Sequence, residues 1–203
     1  CFNNNSLQGA INDATAGVLD VPLGTYNETI NITNPIDLTC GEGNCIIDAS
    51  GLSYGINISS ADVSVSGFEI IGDVGTTSGV TISEGSSNVI IDGNIIHGMK
   101  LPNSNGSPAS YGVLVWGHDV HDILIQNNEI YDINLFGISI SELVTNVSIN
   151  NNNIHDLEYL VSTPDALTSI LLGLDLGLDN DLEWWESVLS GSGLSIEDEY
   201  WIS

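Results

Sequence analysis

Carboxylates are the side chains of this sequence best suited to chemistry. Hydrolysis of a glycosidic bond needs two of them, one acting as an acid and the other as a base or nucleophile. Six acidic residues in the repeating part of the chain are candidates for such a pair: Asp92, Asp119, Asp122, Glu129, Asp132 and Asp156. Their positions form no distinctive cluster. The sequence therefore allows hydrolysis without indicating it, and we assign no catalytic residue.

Histidines next to aspartates suggest a metal site in one segment, His118-Asp-Val-His121-Asp. The segment leads into a predicted strand at Ile123, and no third ligand is obvious. A metal site needs three or four convergent ligands, so we predict a solvated corner and no metal centre. No phosphate-binding glycine loop or nucleophile elbow is present, so no cofactor is predicted. Calcium at surface aspartates fits the composition, but the sequence locates no site for it.

Two cysteines are placed to form a local disulfide. Cys40 and Cys45 flank Gly-Glu-Gly-Asn, a turn-like tetrapeptide, and we predict that they are joined in an oxidising compartment. Cys1 is left over. It marks a processed N-terminus that bears a lipid, or it pairs with another subunit, or it pairs with Cys40 or Cys45.

The charge balance excludes several classes of partner. The chain has a single basic residue, Lys100, against 27 Asp and Glu, for a formal net charge of −26. Lys and Arg displace counterions from phosphates, so nucleic acid is excluded as a partner and anionic membrane surfaces are disfavoured. Self-repulsion of this size is relieved by high salt, by divalent cations or by external acid.

The remaining composition indicates a secreted protein of the extracellular space or cell surface. Charged residues make up only 14% of the chain, so its polar surface is mostly Asn, Ser, Thr and Gly. No run of about 18 apolar residues is present, which predicts no membrane span. Six Asn-x-Ser/Thr sequons predict covalent glycans: Asn4, Asn27, Asn31, Asn57, Asn105 and Asn146.

An internal repeat determines the elements that must position these side chains. Four segments begin near a glycine and then alternate apolar and polar residues. The glycines, Gly55, Gly79, Gly112 and Gly137, are spaced by 24, 33 and 25 residues. Alternation over five residues is typical of a short strand with one face inward. The longer spacing is explained by an insertion at 99–110, rich in turn-forming residues, which we expect to bulge as a loop.

A second strand and a polar corner follow in each repeat. The corners read Gly93-Asn94, Asn127-Asn128 and Asn151-Asn152, each followed two residues later by Ile. Coils of about 24 residues that pair in parallel would stack like residues about 4.8 Å apart. We therefore predict a β-solenoid with a hydrogen-bonded ladder of Asn94, Asn128 and Asn152.

Several stretches resemble the pectin-lyase-like superfamily of right-handed parallel β-helices. They are residues 8–17, Val21-Pro-Leu-Gly-Thr-Tyr-Asn-Glu, Ile30-Asn-Ile, Pro35-Ile-Asp-Leu, Ile47-Asp-Ala-Ser-Gly and the Asn-Asn-x-Ile corners, and the resemblance covers residues 7–157. It implies an all-β, right-handed parallel β-helix. It also implies a capping helix N-capped by Ser6, carrying Leu7, Ala10, Ile11 and Ala14, and ended by Gly17.

The resemblance is weak for activity, because the superfamily holds lyases, hydrolases, adhesins and structural proteins. Its lyases typically use Arg or Lys as the base, with calcium or further basic residues neutralising the acid. This chain has no Arg, and Lys100 lies in the insertion. Lyase chemistry is therefore not expected, and we predict a protein that is not an enzyme.

The coil pattern stops near residue 157, which divides the chain into three parts. We predict an N-terminal segment with the capping helix at 1–17, the β-helix at 18–157, and a partly helical segment at 158–203. The last segment either caps the solenoid or reaches into a neighbouring subunit. Its candidate assembly residues are Leu171, Leu174, Trp184, Trp185, Tyr200 and Trp201.

Two functions remain in view. The first is an extracellular structural or adhesive cell-surface protein, in its specific form the self-associating, head-to-tail subunit of a filament or sheath. The alternative is a carbohydrate-binding or glycoside-hydrolysing β-helix, for which Trp116 and Tyr131 are the obvious aromatic candidates.

Overall fold

The computed structural model of the chain describes residues 6–14, 17–41, 43–100, 110–141 and 143–157. Those residues form one short helix, α1 (Leu7–Asp13), and seventeen strands. All strand pairs are parallel, and the two strands of every pair are three places apart in chain order. This arrangement is a solenoid of five complete coils followed by two strands of a sixth.

Three sheets run along the solenoid, and each coil contributes one strand to each sheet. The first sheet contains β1 (Val18–Val21), β4 (Ile36–Cys40), β7 (Val63–Ser66), β10 (Ser87–Asp92), β13 (His121–Gln126) and β16 (Thr145–Asn150). The second sheet contains β2 (Gly24–Tyr26), β5 (Cys45–Asp48), β8 (Phe68–Ile71), β11 (Ile95–His97), β14 (Glu129–Ile133) and β17 (Asn153–Leu157). The third sheet contains β3 (Ile30–Ile32), β6 (Tyr54–Ile58), β9 (Ser78–Ile82), β12 (Ser110–Val115) and β15 (Leu135–Ile140).

The core consists of inward columns of aliphatic residues. In the first sheet, Leu38, Val65, Ile91 and Ile125 occupy one register position in successive coils, and each is completely buried. Successive side chains of a strand point to opposite faces, so the alternation seen in the sequence separates this core from outward polar columns. Burial of such columns along the solenoid is the main source of its stability.

The helix α1 closes the N-terminal end of the third sheet. The Ser6 side chain caps the helix by accepting a bond from the Gly9 amide, and Leu7 and Ile11 are buried. Glu28, in the turn before β3, accepts hydrogen bonds from the Ser6 hydroxyl and the Leu7 amide, both at 2.7 Å. A carboxylate at this position also complements the partial positive charge of the helix N-terminus.

The predicted all-β solenoid with an N-terminal helix is confirmed, with one difference in the helix. It ends at Asp13, with Ala14 as C-cap in an extended conformation, and does not continue to Gly17. No helix in the described ranges is long and apolar enough to cross a bilayer. Residues 101–109 of the insertion and the segment at 158–203 lie outside the described residues.

Candidate functional site

The candidate carboxylates lie on the outer faces and corners of the coils, where most of them bind side chains of a neighbouring coil. Asp92, at the end of β10, accepts hydrogen bonds from Asn127 at 2.8 Å and Gln126 at 3.2 Å, both from the next coil. Asp132 lies 2.6 Å from the ammonium group of Lys100, which belongs to the preceding coil. These carboxylates therefore join coils.

A column of aspartate and asparagine alternates at the corner before the first sheet. Asp62, Asn88, Asp122 and Asn146 stack in successive coils, and all have left-handed backbone with φ of 53–58°. The Asn88 amide donates to Asp62 at 2.7 Å, and the Asn146 amide donates to Asp122. Because Asn and Asp adopt this conformation more readily than other side chains, the corner selects them. Their alternation also keeps like charges out of neighbouring coils.

Hydrogen bonding stabilises the charged form of Asp122. The bond from His121, at 2.7 Å, and then the bond from Asn146 lower the pKa of this carboxyl below its ordinary value. A carboxyl group held ionised in this way is not suited to donate a proton as a general acid.

Stacked rings form an outward column on the second sheet. The ring of Tyr131 lies between His97 and His155, with ring centroids 4.7 Å and 5.0 Å apart and planes within 4° of parallel. Each histidine contacts a glutamate of the preceding coil, His97 with Glu69 at 3.2 Å and His155 with Glu129 at 3.4 Å.

The stacking decides which aromatic side chains could receive a sugar ring. Both faces of Tyr131 are covered by imidazoles, so neither face of its ring can stack against a sugar. Burial, followed by the negative charge of Glu129, raises the pKa of Tyr131, so the phenol stays neutral near pH 7. Trp116, in the corner after β12, is 49% exposed, so it is the better of the two candidates for contact with a sugar ring.

The asparagines of the second corner form a buried ladder. The side-chain oxygen of Asn128 accepts hydrogen bonds from the backbone and side-chain amides of Asn94, at 2.9 Å and 3.1 Å. The side-chain oxygen of Asn152 likewise accepts from the backbone and side-chain amides of Asn128, at 3.0 Å and 2.8 Å. Each side-chain amide also donates to a backbone carbonyl of the preceding coil, such as that of Val65. Each of the three asparagines is 1% exposed.

The two residues of each ladder corner differ in backbone conformation. The left-handed residue of each corner is the one that precedes the ladder asparagine, namely Gly93, Asn127 or Asn151. The second residue turns inward and forms the ladder. The two positions of the Asn-Asn pair therefore have different roles, the first conformational and the second in hydrogen bonding. In the first repeat, the backbone amide of Phe68 donates to Asn94 at 3.0 Å.

The disulfide between Cys40 and Cys45 is present, with a Cα–Cα distance of 5.9 Å. It joins the end of β4 to the start of β5 and closes the corner between the first and second sheets. Pairing of Cys1 with either of these cysteines, one of the alternatives above, is therefore excluded in this structure. Cys1 itself lies outside the described residues.

The predicted glycosylation sites divide into distinct environments. Asn27 and Asn146 are exposed, whereas Asn31 and Asn57 lie half-buried in the middle of β3 and β6, directly opposite each other. Asn4 and Asn105 lie outside the described residues. Asn27 is thus the described sequon whose surroundings, an exposed turn, best suit a glycan.

No group of three His, Cys, Asp or Glu side chains in the described part of the chain is arranged to hold a metal ion. His118 and His121 lie at an exposed corner, and His121 instead contacts Asp122. Calcium binding stays a prediction without a located site. The assembly candidates Leu171, Leu174, Trp184, Trp185, Tyr200 and Trp201 all fall outside the described residues.

Sequence reasoning missed the two residues that close the N-terminal end, Glu28 and Gln8. The side chain of Gln8 accepts from the Asn31 amide at 2.6 Å and donates to the Asn31 carbonyl at 3.0 Å. Gln8 thereby provides hydrogen-bond partners for the backbone of Asn31 at the outer edge of β3, as a neighbouring strand would. The preference of a helix N-terminus for a nearby carboxylate was the signal that could have suggested Glu28.

Comparison with known proteins identifies one family. The family described as "Right handed beta helix region" matches residues 31–170, more than half of the chain. No curated protein and no solved structure matches the chain.

Proposed function

The chain belongs to the right-handed β-helix family, and on that premise we propose that it is an extracellular structural or adhesive protein whose copies assemble into a filament or sheath. One observation carries the proposal. Four of the six carboxylates that could have served catalysis, Asp92, Asp122, Glu129 and Asp132, are instead joined to a side chain of a neighbouring coil.

Inter-coil bonding of this kind supports a mechanical role. The asparagine ladder and the stacked rings run along the solenoid axis from the fourth coil to the sixth, and the carboxylate pairs act in the same direction. Each is worth little alone when exposed, but networks that repeat in register stiffen neighbouring coils together. A stiff solenoid suits a load-bearing or spacing element.

The disulfide and the exposed sequons support the proposed location. Local disulfides persist in oxidising compartments, and Cys40–Cys45 is such a bond. Asn27 and Asn146 would present glycans at the surface. The large negative charge would keep separated copies soluble until salt, calcium or acid reduces their repulsion.

Electron microscopy and light scattering of the purified chain test the proposal. We expect ordered filaments or sheets when the charge is screened by salt, calcium or acid, and dispersed molecules at low ionic strength and neutral pH. A chain that stays monomeric at high concentration under all of these conditions would contradict the self-assembly.

We also propose that the protein is not an enzyme. Reducing ends released from a panel of neutral and acidic polysaccharides would contradict this part of the proposal. The matched variant is Asp119→Asn, because Asp119 is the exposed carboxylate at the His118 corner for which no inter-coil bond is described. Loss of any released activity in this variant would place the reaction there.

Carbohydrate binding is the second candidate, and the exposed ring of Trp116 favours it. A glycan array measured with the wild type and with Trp116→Ala distinguishes it from assembly alone. Binding that Trp116→Ala abolishes, with Tyr131→Phe unchanged, would support a sugar-binding surface at this corner. Absence of binding by the wild type would leave the structural role without an adhesive one.

A further inference from the structure

Among the described residues, the two ends of the solenoid present strand edges that have no partner. The first sheet ends in β1 and β16, and the second sheet ends in β2 and β17. The third sheet, within the described residues, ends in β3 and β15 and so has one strand fewer at the C-terminal end. Unpaired parallel edges are templates for a further strand in the same direction.

At the N-terminal end, the described residues close the third sheet and leave the other two sheets uncovered. Gln8 occupies the edge of β3, and α1 packs beside that strand. The edges of β1 and β2 have no partner on their outer side among the described residues, and two large apolar side chains beside them, Val18 and Leu23, are 67% and 60% exposed.

We propose that β1 and β2 of one copy pair in parallel with β16 and β17 of a second copy, so that the first and second sheets continue across a head-to-tail joint. This inference rests on the self-assembly in the proposed function and names its interface. The helix α1 of one copy would then lie over the end of the third sheet, where β15 is the last described strand.

The outward columns match across this joint without placing carboxylate on carboxylate. Continuing the registers already present, Val18 would lie over Ser148 and Asp20 over Asn150. In the second sheet, Thr25 would lie over Asn153. The last strands therefore offer neutral polar side chains to the first strands, which matters in a chain with a net charge of −26.

The inward columns match as well. Leu19 would meet Ile149 in the first sheet, and Tyr26 would meet Ile154 in the second. Leu19, Tyr26 and Ile149 are only partly buried, in contrast to Ile125 one coil before the C-terminal end, which is completely buried. The joint would bury the apolar surface that both ends leave partly exposed.

The alternative of two N-terminal ends facing each other is disfavoured by α1. A twofold axis that pairs β1 with β1 exchanges the positions of the second and third sheets. It would place α1 and the blocked edge of β3 against β2 of the other copy. Only the head-to-tail arrangement lets both open edges pair at once, and such a contact does not close, so it generates a filament.

Engineered disulfides test the register directly. In a Cys1→Ser background, we would combine Val18→Cys with Ser148→Cys, assemble the protein, oxidise it mildly and run it on a non-reducing gel. Neighbouring strands lie about 4.8 Å apart, within the Cα–Cα range that a disulfide spans. We expect a ladder of covalent multimers from this variant.

Two controls belong to the same experiment. Val18→Cys with Ser64→Cys should give no ladder, because Ser64 lies in the same column but in the middle of the solenoid. Val18→Cys alone should give no dimer, since a covalent dimer would indicate contact between two N-terminal ends. Val18→Lys with Leu23→Lys should prevent assembly, whereas Val74→Lys, at an equally exposed corner position, should not.

The outcomes separate this inference from the proposed function. Filaments that form without the ladder, or that persist with Val18→Lys and Leu23→Lys, would overturn the inference and leave self-assembly standing. A ladder that appears only after residues 158–203 are removed would show that this segment covers the C-terminal end, and would also overturn the inference. A wild type that never assembles contradicts both.

Discussion

Gly112 in β12 lies directly against Ile130 of the following coil. A Cβ atom on Gly112 would lie 2.4 Å from the Cγ2 of Ile130 and 2.5 Å from the carbonyl oxygen of Gly137. The same relationship recurs along the solenoid between Gly55 and Ile70, Gly79 and Ile96, and Gly137 and Ile154. The repeated glycine is therefore explained by close approach between the third sheet and the isoleucine column of the second sheet.

Replacing Gly112 by alanine should destabilise the fold. The new methyl group has no space unless the coils separate, and overpacking of this kind costs roughly 1–3 kcal/mol. Denaturant unfolding followed by circular dichroism measures the change. Gly41→Ala is the matched control, because no atom lies within 4 Å of a Cβ at Gly41. Equal stability of the two variants would contradict the steric explanation.

Removal of one ladder asparagine should destabilise the fold more than removal of an exposed one. Asn128→Ala leaves the buried backbone amide of Asn94 without an acceptor and the Ile91 carbonyl without the side-chain donor of Asn128. An unsatisfied buried group costs about 1–3 kcal/mol, so a loss of at least about 2 kcal/mol is expected. Asn44→Ala, at an exposed corner, should change the free energy of unfolding by less than about 0.5 kcal/mol.

The contribution of Asp73 to stability should depend on pH. Backbone hydrogen bonds from Gly51 and then Gly75 lower the pKa of this carboxyl in the folded state. Its stabilising contribution is therefore fully present above the ordinary aspartate pKa of about 3.9 and is lost as pH falls through the lowered value. Asp73→Ala should reduce the unfolding free energy at pH 7 and have a smaller effect at pH 2.5.

The comparison for Asp73 is made between variants at the same pH, because acid also relieves the general repulsion among carboxylates. Asp37→Ala, on the exposed face of β4, is the control and should be nearly neutral at both pH values. An Asp73→Ala penalty that is equal at pH 7 and pH 2.5 would count against the hydrogen-bonded carboxylate as its cause.

Reduction of the disulfide should lower stability moderately. The bond closes a short loop, with a sequence separation of 5, for which loop-closure entropy amounts to roughly 2 kcal/mol. Unfolding curves with and without a reductant measure the difference. A Cys40→Ser, Cys45→Ala variant should not respond to the reductant. If its curves shifted as much as those of the wild type, the effect would come from another source.

The repeat made much of the fold predictable because stacked coils repeat their residue types in register. Asn94, Asn128 and Asn152 recur at one position of the repeat, and so do the four glycines. The partners of the carboxylates were not predictable in the same way. Glu69 and His97 are 28 residues apart, whereas Glu129 and His155 are 26 apart, because corner lengths differ between coils.

By itself, the sequence determined the solenoid class, the positions of the ladder asparagines, and the pairing of Cys40 with Cys45 across a short turn. Only the tertiary structure decided that Gln8 and Glu28 close one sheet, that Tyr131 is covered on both faces, and that no described residue pairs with the outer edges of β1 and β2. The physical reason is that periodicity specifies which face a side chain occupies, whereas its partner depends on the distance and offset between coils, which arise only when the chain is wound.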